Sequence, residues 1–201
     1  LYTNRAEARA ALGLGDEPLI VSCWGSLGAR EMNKKIAQFM RCECEDGTPF
    51  HHIHATGSFG WRWMPDYVKE QGVDLAAHPA LDMREYIYDM PQVLAAADLI
   101  ICRAGAATIA EVCASGTPCI MVPSPNVTGN HQEKNARVLE DAGAAAVVRE
   151  ADCDGRSLYE TAKAILSDPE RTGGMRTAAR GMAVVDAAER IYQTAIELAR
   201  G

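Results

Sequence analysis

The sequence lacks an excess of positive charge and has no long apolar run. Its 201 residues include 20 Lys and Arg against 27 Asp and Glu, which gives a net charge of -7 at pH 7. Nucleic acid is therefore disfavoured as a partner, because phosphate backbones attract Lys and Arg. No secretory signal and no apolar segment of spanning length is present, so we expect the chain itself to cross no membrane.

The cysteines also show no pattern typical of disulfide pairing. The seven Cys are an odd number scattered through the chain, which favours a reduced, cytoplasmic setting over a disulfide framework. Cys42 and Cys44 suggest a metal pair, but no second pair stands at a suitable spacing, so we predict no metal site. Cys102 and Cys119 lie in apolar runs and are predicted to be buried thiols. The chain also begins at Leu1 without Met, and we expect a fragment or a processed chain.

The apolar pattern switches repeatedly between the periods of a strand and of a helix. Short runs such as residues 99–101 are apolar at successive positions, which is typical of strands covered on both faces. We therefore predict an α/β fold, a Rossmann-like parallel sheet with helices on both faces, as a single domain over residues 1–201. The predicted strands are 18–24, 51–57, 73–78, 99–102, 118–123 and 144–148, and the predicted helices are 28–40, 66–72, 89–98, 106–116, 130–143, 156–166, 169–180 and 185–199.

The segment WGSLGAR, residues 24–30, lies where a predicted strand passes into a predicted helix. Gly25 and Gly28 let the backbone approach an anion, Ser26 adds a hydroxyl, and the helix start supplies free N–H groups. These features favour a phosphate, although a plain tight turn has the same composition. The Rossmann pattern G-x-G-x-x-G is missing, which disfavours a dinucleotide.

A second strand-to-helix turn carries RAGAATIAE, residues 103–111. Its first helical turn offers another set of free N–H groups. Thr108 and Glu111 are three residues apart and share a helix face. A carboxylate can accept two hydrogen bonds from a vicinal diol such as a ribose. Glutamate is usually a solvated surface residue, but the residues that flank Glu111 are small and apolar, which favours a packed helix around it.

Two further segments carry polar or aromatic groups near predicted strand ends. In NHQEKNA, Asn130 is a predicted N-cap, and His131, Gln132 and Asn135 are spaced to share one helix face. Amides both donate and accept, which suits sugar hydroxyls, although for these residues taken separately a capped surface helix is favoured over a site. In YIYDM, the backbone around Ile87 can present N–H and C=O groups to a base edge, while the flanking tyrosines either stack or pack.

Together these segments resemble the MurG family, the UDP-GlcNAc-dependent glycosyltransferases of bacterial peptidoglycan synthesis. The likeness rests on the order and spacing of WGSLGAR, EYIYDM, CRAGAATIAE, GTPCIMVP and HQEKNA, and it runs from about Leu19 to Ala145. It implies the C-terminal, donor-binding half of a two-domain GT-B enzyme. The N-terminal half, which in this family carries the acceptor and membrane-facing surfaces, is not in this chain.

The resemblance implies a binding site for UDP-GlcNAc as donor substrate, with no metal and no other cofactor. Ser26 in the glycine loop and the helix start near Ala106 would hold the diphosphate, and the Ile87 backbone would meet uracil. Glu111 would hold the ribose hydroxyls, and Gln132 would read the GlcNAc hydroxyls. The full set that the resemblance assigns to the donor is Gly25, Ser26, Gly28, Ile87, Ala106, Ala107, Thr108, Glu111, His131, Gln132 and Asn135.

The family transfers GlcNAc from UDP to the 4-hydroxyl of the N-acetylmuramoyl unit of lipid I, giving lipid II with inversion at the anomeric carbon. The family's candidate base lies in the N-terminal half. The resemblance therefore implies no catalytic residue here and a chain that binds donor without transferring it. It further implies lipid I and the inner-membrane surface as partners through the missing half, and a peripheral location on the cytoplasmic face of the cell membrane.

One position departs from the family pattern. Trp24 stands where the family usually has the first Gly of Gly-Gly-Ser, so its ring either packs under the loop or narrows the approach to the phosphates.

Three other functions remain open from the sequence. They are the donor half of another UDP-sugar transferase with a glycolipid or dolichol-linked acceptor, a stand-alone donor-binding subunit, and an α/β protein whose motifs are only structural turns. A UDP-GlcNAc epimerase shares the fold, but the carboxylate pair for its chemistry is not evident.

Overall fold

Six parallel strands form one sheet in the computed structural model of the chain, which describes residues 4–200. The strands are β1 (Leu19–Cys23), β2 (His51–Ala55), β3 (Leu81–Arg84), β4 (Leu99–Cys102), β5 (Cys119–Met121) and β6 (Ala145–Val147). Their order in the sheet is β3-β2-β1-β4-β5-β6, and every pairing is parallel. The predicted Rossmann-like fold is therefore confirmed.

Helices connect the strands and cover both faces of the sheet. They are α1 (Arg5–Ala11), α2 (Arg30–Glu45), α3 (Ser58–Trp61), α4 (Met64–Glu70), α5 (Met90–Ala96), α6 (Ala106–Ser115), α7 (His131–Asp141), α8 (Gly155–Leu166), α9 (Pro169–Gly181) and α10 (Ala187–Arg200). Helices α2 and α8 pack against each other on one side of the sheet, and α5, α6 and α7 contribute to the core on the other side. Helices α1 and α3 were not predicted from the sequence.

Alternate residues of the central strands point into the two apolar cores, one on each face of the sheet. Ile101 points into the core shared with α2 and α8, whereas Ile100 and Cys102 point into the core shared with α5 and α6. Both sides of the strand are therefore covered, which explains why its residues are apolar at successive positions. The prediction that Cys102 and Cys119 are buried is confirmed, and both are fully enclosed.

The prediction of a strand over residues 73–78 is wrong. This segment forms turns, in which the Asp74 carboxylate accepts a hydrogen bond from the Ala76 N–H at 3.0 Å. Aspartate competes with strand pairing in this way by bonding to nearby backbone. The third strand lies instead at Leu81–Arg84, on the sheet edge, where only Leu81 is buried and the apolar pattern is weak.

A chain of buried polar groups runs along β1 and β2. His54 Nδ1 and His52 Nε2 each lie 2.7 Å from Ser22 Oγ, and His52 Nδ1 lies 2.9 Å from Glu43 Oε2. All four side chains are fully buried. One consistent proton order has His54 donating to Ser22, Ser22 donating to His52, and His52 donating to Glu43. His54 Nε2 is then left as a buried acceptor without a partner among the described residues.

The chain is expected to lose stability as the pH falls below about 6.5, because of His54. Burial, and then the neighbouring His52, lower the pKa of His54 from 6.5 to about 3. Neutral His54 thus stabilises the folded chain above the unfolded pKa, and this contribution is lost as the pH falls towards the folded pKa. Urea unfolding should show about 2 kcal/mol less stability at about pH 5 than at about pH 7.5.

The variant His54→Gln is the control for this pH effect. Glutamine keeps a hydrogen-bonding group near Ser22 but does not titrate in this range. The same pair of unfolding measurements on His54→Gln should show most of the pH-dependent loss removed. An unchanged loss in the variant would assign the effect to other groups.

Candidate functional site

A cleft of about 310 Å³ opens at the carboxyl end of the sheet, between the loops that follow β1 and β4. These strands are neighbours, yet the chain runs from β1 to β2 and β3 in one direction and from β4 to β5 and β6 in the other. Parallel sheets bind ligands at such a switch point, because the two loops diverge and leave a crevice. The cleft is therefore the candidate site.

The loop between β1 and α2 forms one wall of the cleft, with Gly25 and Ser26 lining it. Gly25 has φ +81°, and a Cβ added there would meet no other atom within 4 Å. The residue is thus glycine for its backbone conformation, and the space beside it is open to a ligand. Ala29, which precedes α2, makes no capping bond with its side chain, so the first N–H groups of this helix stay available.

Gly28 does not line the cleft. It has φ +81°, and an added Cβ would collide with the backbone oxygen of Thr56. A Cβ added at Gly57, the next residue of the same loop, would in turn collide with the backbone of Leu27 and Gly28. The two glycines therefore let the loop after β1 and the loop after β2 touch backbone to backbone. Gly28 therefore joins the loop after β1 to the loop after β2 and does not itself face the cleft.

The start of α6 forms the opposite wall. Gly105 is the N-cap residue, no side chain caps the helix, and Gly105 and Thr108 both line the cleft. The free N–H groups of the first turn and the positive end of the helix dipole lie at this wall. Ala106 and Ala107 are exposed in the same turn, but their side chains do not line the cleft.

Glu111 lies one turn further along α6 and also lines the cleft. Its carboxylate forms no salt bridge or hydrogen bond with any residue in the range 4–200, so its oxygens are available to a ligand. Cys23 lines the same cleft, and burial and then the charge of Glu111 raise the pKa of its thiol to about 12. The cleft thus contains a carboxylate acceptor and a neutral thiol.

The floor and one end of the cleft are apolar. Ile87 follows β3, is 2% exposed and lines the cleft together with Met90, Leu94 and Ile100. Tyr86 stands at the same end, and its ring lies 5.0 Å from that of Tyr88, edge to face. This end offers a flat ligand group an apolar contact.

Of the Asn-His-Gln cluster, the structure brings only Gln132 into the cleft. Gln132 Oε1 accepts a hydrogen bond from Ser124 N–H at 2.9 Å, which leaves its amide nitrogen free to donate. Asn135 instead donates to Ala104 O at 3.2 Å and lies behind the start of α6. His131 is exposed, with Nδ1 3.0 Å from Thr128 O.

Asn130 does not cap α7 with its side chain, contrary to the prediction. It has φ +52°, in the left-handed region, and its amide nitrogen donates to Glu133 Oε2 at 3.1 Å. The first turn of α7 therefore begins after a 3₁₀ turn at residues 128–130. The left-handed backbone points the Asn130 side chain away from the N–H groups that it would have capped.

Sequence reasoning missed Arg103, which lines the cleft at the end of β4. Its guanidinium donates to Val122 O at 3.0 Å, forms a 2.6 Å ion pair with Glu150, and lies 5.7 Å from the centre of the Trp24 ring. It therefore ties the end of β4 to the end of β5 beside the cleft. The only sequence signal was an arginine directly after an apolar strand.

Trp24 packs under the loop, as one of the two alternatives predicted. It is 5% exposed and belongs to the core shared with α2 and α8, and it also lines the cleft.

The pair Cys42 and Cys44 lies on α2, where Cys42 is buried. Within residues 4–200, no group of three or more His, Cys, Asp or Glu side chains is arranged to hold a metal ion.

This fold and the position of its cleft define the chain as one Rossmann-like half of a GT-B glycosyltransferase. The model for the Glycosyltransferase family 28 C-terminal domain matches residues 19–191. The chain belongs to this family, and the resemblance stated from the sequence is confirmed.

Named relatives agree with this assignment. The chain is 39% identical, over 194 residues, to the UDP-N-acetylglucosamine--N-acetylmuramyl-(pentapeptide) pyrophosphoryl-undecaprenol N-acetylglucosamine transferase of Caldanaerobacter subterraneus subsp. tengcongensis, covering 96% of this chain and 52% of the relative. The crystal structure of Acinetobacter baumannii MurG superposes with a TM-score of 0.74 at 27% identity, covering 90% of this chain and 52% of that one. WaaG, a glycosyltransferase involved in lipopolysaccharide biosynthesis, shares the fold with a TM-score of 0.65 at 17% identity, covering 91% of this chain and 47% of that one.

The chain spans about half the length of the curated relatives that it matches. Among the described residues, none of the helices combines the length and the apolar composition needed to cross a membrane.

Proposed function

We propose that this chain binds UDP-GlcNAc in the cleft and is the donor-binding half of an inverting N-acetylglucosaminyltransferase that converts lipid I to lipid II. The observation that carries the proposal is the unpaired carboxylate of Glu111 facing the cleft beside the uncapped start of α6 and opposite the glycine loop that leads into α2. A nucleoside diphosphate needs both features, since its ribose donates hydrogen bonds and its phosphates accept them. The chain belongs to a family whose named relatives are N-acetylglucosamine transferases.

Each part of the donor has a matching part of the cleft. Uracil would lie against Ile87 at the apolar end, with its polar edge on the backbone there. The ribose hydroxyls would donate to Glu111, and the diphosphate would lie between Ser26 and the start of α6. Gln132, which lines the cleft and whose amide nitrogen has no partner among the described residues, would donate to the GlcNAc hydroxyls. His131 and Asn135, which stand outside the cleft, would act only by supporting the first turns of α7 and α6.

In the reaction, the acceptor hydroxyl attacks the anomeric carbon as the bond to UDP breaks, and its proton passes to a base. Departing UDP gains negative charge, which the free N–H groups and the positive dipole ends at α2 and α6 would stabilise without a metal. The base, lipid I and the contact with the cytoplasmic face of the membrane would belong to the other half of the full-length protein. The chain alone would therefore bind donor but transfer nothing.

Calorimetric titration of the chain tests this proposal. We expect saturable binding of UDP-GlcNAc, weaker binding of UDP-glucose because glucose lacks the 2-acetamido group, and no turnover with lipid I. Equal binding of the two nucleotide sugars would favour another UDP-sugar transferase. Absence of binding by the folded chain, or transfer of GlcNAc to lipid I by the chain alone, would contradict the proposal.

A further inference from the structure

Arg103 and Trp24 line the cleft but take no part in the donor contacts proposed above. Their side chains contact each other, since the central guanidinium carbon of Arg103 lies 5.7 Å from the centre of the Trp24 ring. Trp24 directly precedes residues 25–29, which we call the phosphate loop because its Gly25 and Ser26 line the wall assigned to the diphosphate. The contact therefore joins the end of β4 to the start of the phosphate loop.

The Arg103 guanidinium is held from several directions. Its Nη1 atom donates to Val122 O at 3.0 Å and to Pro123 O at 3.2 Å, at the end of β5. Its Nη2 atom forms the 2.6 Å ion pair with Glu150, which follows β6. Both side chains of this pair are mostly buried, so water competes weakly for these bonds. The planar fork is thus fixed in one orientation and presents a constant surface to the Trp24 ring.

The Trp24 ring depends on this surface for its polar contact. The ring is 5% exposed, and its Nε1–H group has no hydrogen-bond acceptor within residues 4–200. Packing in the core restrains the ring, and the guanidinium adds a directed attraction to the ring face. Because Trp24 adjoins Gly25 in the chain, a fixed ring also fixes where the phosphate loop begins.

The other end of the phosphate loop is tied to the same segment of the chain. Helix α2 begins directly after the loop, and Lys35 of this helix donates to Glu150 O. Glu150 therefore contacts both Arg103, which packs on the residue before the loop, and the helix after it. Between these anchors, Gly25 and Gly28 both have φ +81° and carry no side chain to restrict the backbone. Anchoring favours binding, because a loop that is already ordered loses less entropy when it receives a ligand.

We propose that Arg103 is a positioning residue for the donor, which orders the phosphate loop through its contact with the Trp24 ring. The guanidinium is already engaged by two carbonyls and neutralised by Glu150, so it acts through the ring rather than on the diphosphate itself. The contact depends on Trp24, which stands where the family usually has glycine. The inference rests on the proposed function, since that function places the diphosphate at this loop.

A double-mutant cycle on UDP binding, measured by calorimetric titration of the chain, tests the proposal. Arg103→Lys keeps the positive charge but loses the planar fork that joins two carbonyls, a carboxylate and a ring. Trp24→Leu keeps an apolar side chain in the core but removes the ring. Each single variant should weaken UDP binding by about tenfold, and the double variant should also lose about tenfold, because both changes break the same contact.

Two results of this cycle would overturn the proposal. Binding of UDP by Arg103→Lys with the parent's affinity would mean that the fork has no role at the site. Losses that multiply to about a hundredfold in the double variant would mean that Arg103 acts without the ring, for example by touching the diphosphate directly. If Trp24→Leu does not fold, as judged by urea unfolding, Trp24→Met takes its place in the cycle.

Arg5→Lys is the matched control. Arg5 also donates to two backbone carbonyls, Ala96 O and Ala97 O, and pairs with the carboxylate of Asp98, but it does so before the start of β4 and not at the cleft. This variant should bind UDP as the parent does. A loss in Arg5→Lys equal to that in Arg103→Lys would assign both to a general weakening of the fold and overturn the proposal.

Uridine supplies a second measurement that needs only Arg103→Lys. It lacks the phosphates, so an NMR titration should give the same uridine affinity for the parent and for Arg103→Lys. Losses of equal size for uridine and UDP would contradict a role confined to the phosphate loop.

Titration of the parent chain with UDP separates this inference from the proposed function. Binding by the parent together with unchanged binding by Arg103→Lys would sink only the role of Arg103. Absence of UDP binding by the folded parent would sink the proposed function and this inference with it.

Discussion

Replacing Glu111 with alanine is expected to weaken UDP-GlcNAc binding by about 10- to 100-fold. The carboxylate would accept hydrogen bonds from the ribose hydroxyls, and losing bonds to a charged group costs about 1.5–3 kcal/mol. The site offers no substitute, because Glu111 is the one carboxylate among the residues that line the cleft. Calorimetric titration measures the change directly.

The Glu111 variant should be a clean test, because the side chain is exposed and makes no bond within the described chain. Alanine has a higher helix propensity than glutamate, so the free energy of unfolding should stay equal or rise by a few tenths of a kcal/mol. Glu111→Gln keeps the shape and loses the charge, and it should fall between the parent and alanine. Glu160→Ala, at an exposed site on α8, is the matched control. Binding of UDP-GlcNAc to Glu111→Ala with the parent's affinity would rule out the ribose contact.

Replacing Gly28 with alanine is expected to lower the free energy of unfolding by about 2–5 kcal/mol. An L-residue at φ +81° costs about 1–2 kcal/mol, and forcing a side chain into a filled space adds about 1–3 kcal/mol. The added methyl would collide with the backbone oxygen of Thr56, which cannot move without shifting the end of β2. Urea unfolding at neutral pH measures the loss.

Gly72 supplies the matched control for this collision. It has φ +82°, but an added Cβ would meet nothing within 4 Å. Gly72→Ala should therefore lose only the conformational part, about 1–2 kcal/mol. The difference between the two variants measures the contact between the two loops. Equal losses would mean that the loop relaxes freely and that the contact with Thr56 does not hold the cleft wall in shape.

Most strands and the long helices could be predicted from the sequence, because their signals are local. A few neighbouring residues are enough to recognise an apolar run such as residues 99–102, or the glycine at Gly116 that ends α6. The edge strand β3 was misplaced for the opposite reason. It buries only Leu81, so the apolar pattern that marks a strand is nearly absent there, while the preceding apolar residues belong to turns.

The types of side chain in the candidate site could also be predicted from the sequence, but their arrangement in space could not. Helix spacing placed His131, Gln132 and Asn135 on one side of α7, yet only Gln132 lines the cleft. Asn135 is held by Ala104 O, a partner 31 residues away in sequence. The spacing of residues within one helix does not show which neighbouring element each side chain contacts.

The sequence by itself determined the class of fold, the two strand-to-helix turns that supply free N–H groups, and the lone carboxylate of Glu111, because each depends on neighbours within a few residues. Only the tertiary structure decided which of these groups meet. The reversal of strand order between β1 and β4 brings residues 25 and 26 opposite residues 105 to 111. Close packing of one loop on another also gave the two glycines different roles: Gly28 touches Thr56, whereas Gly25 faces open space. Such contacts join residues far apart in the chain, and they form only when the sheet does.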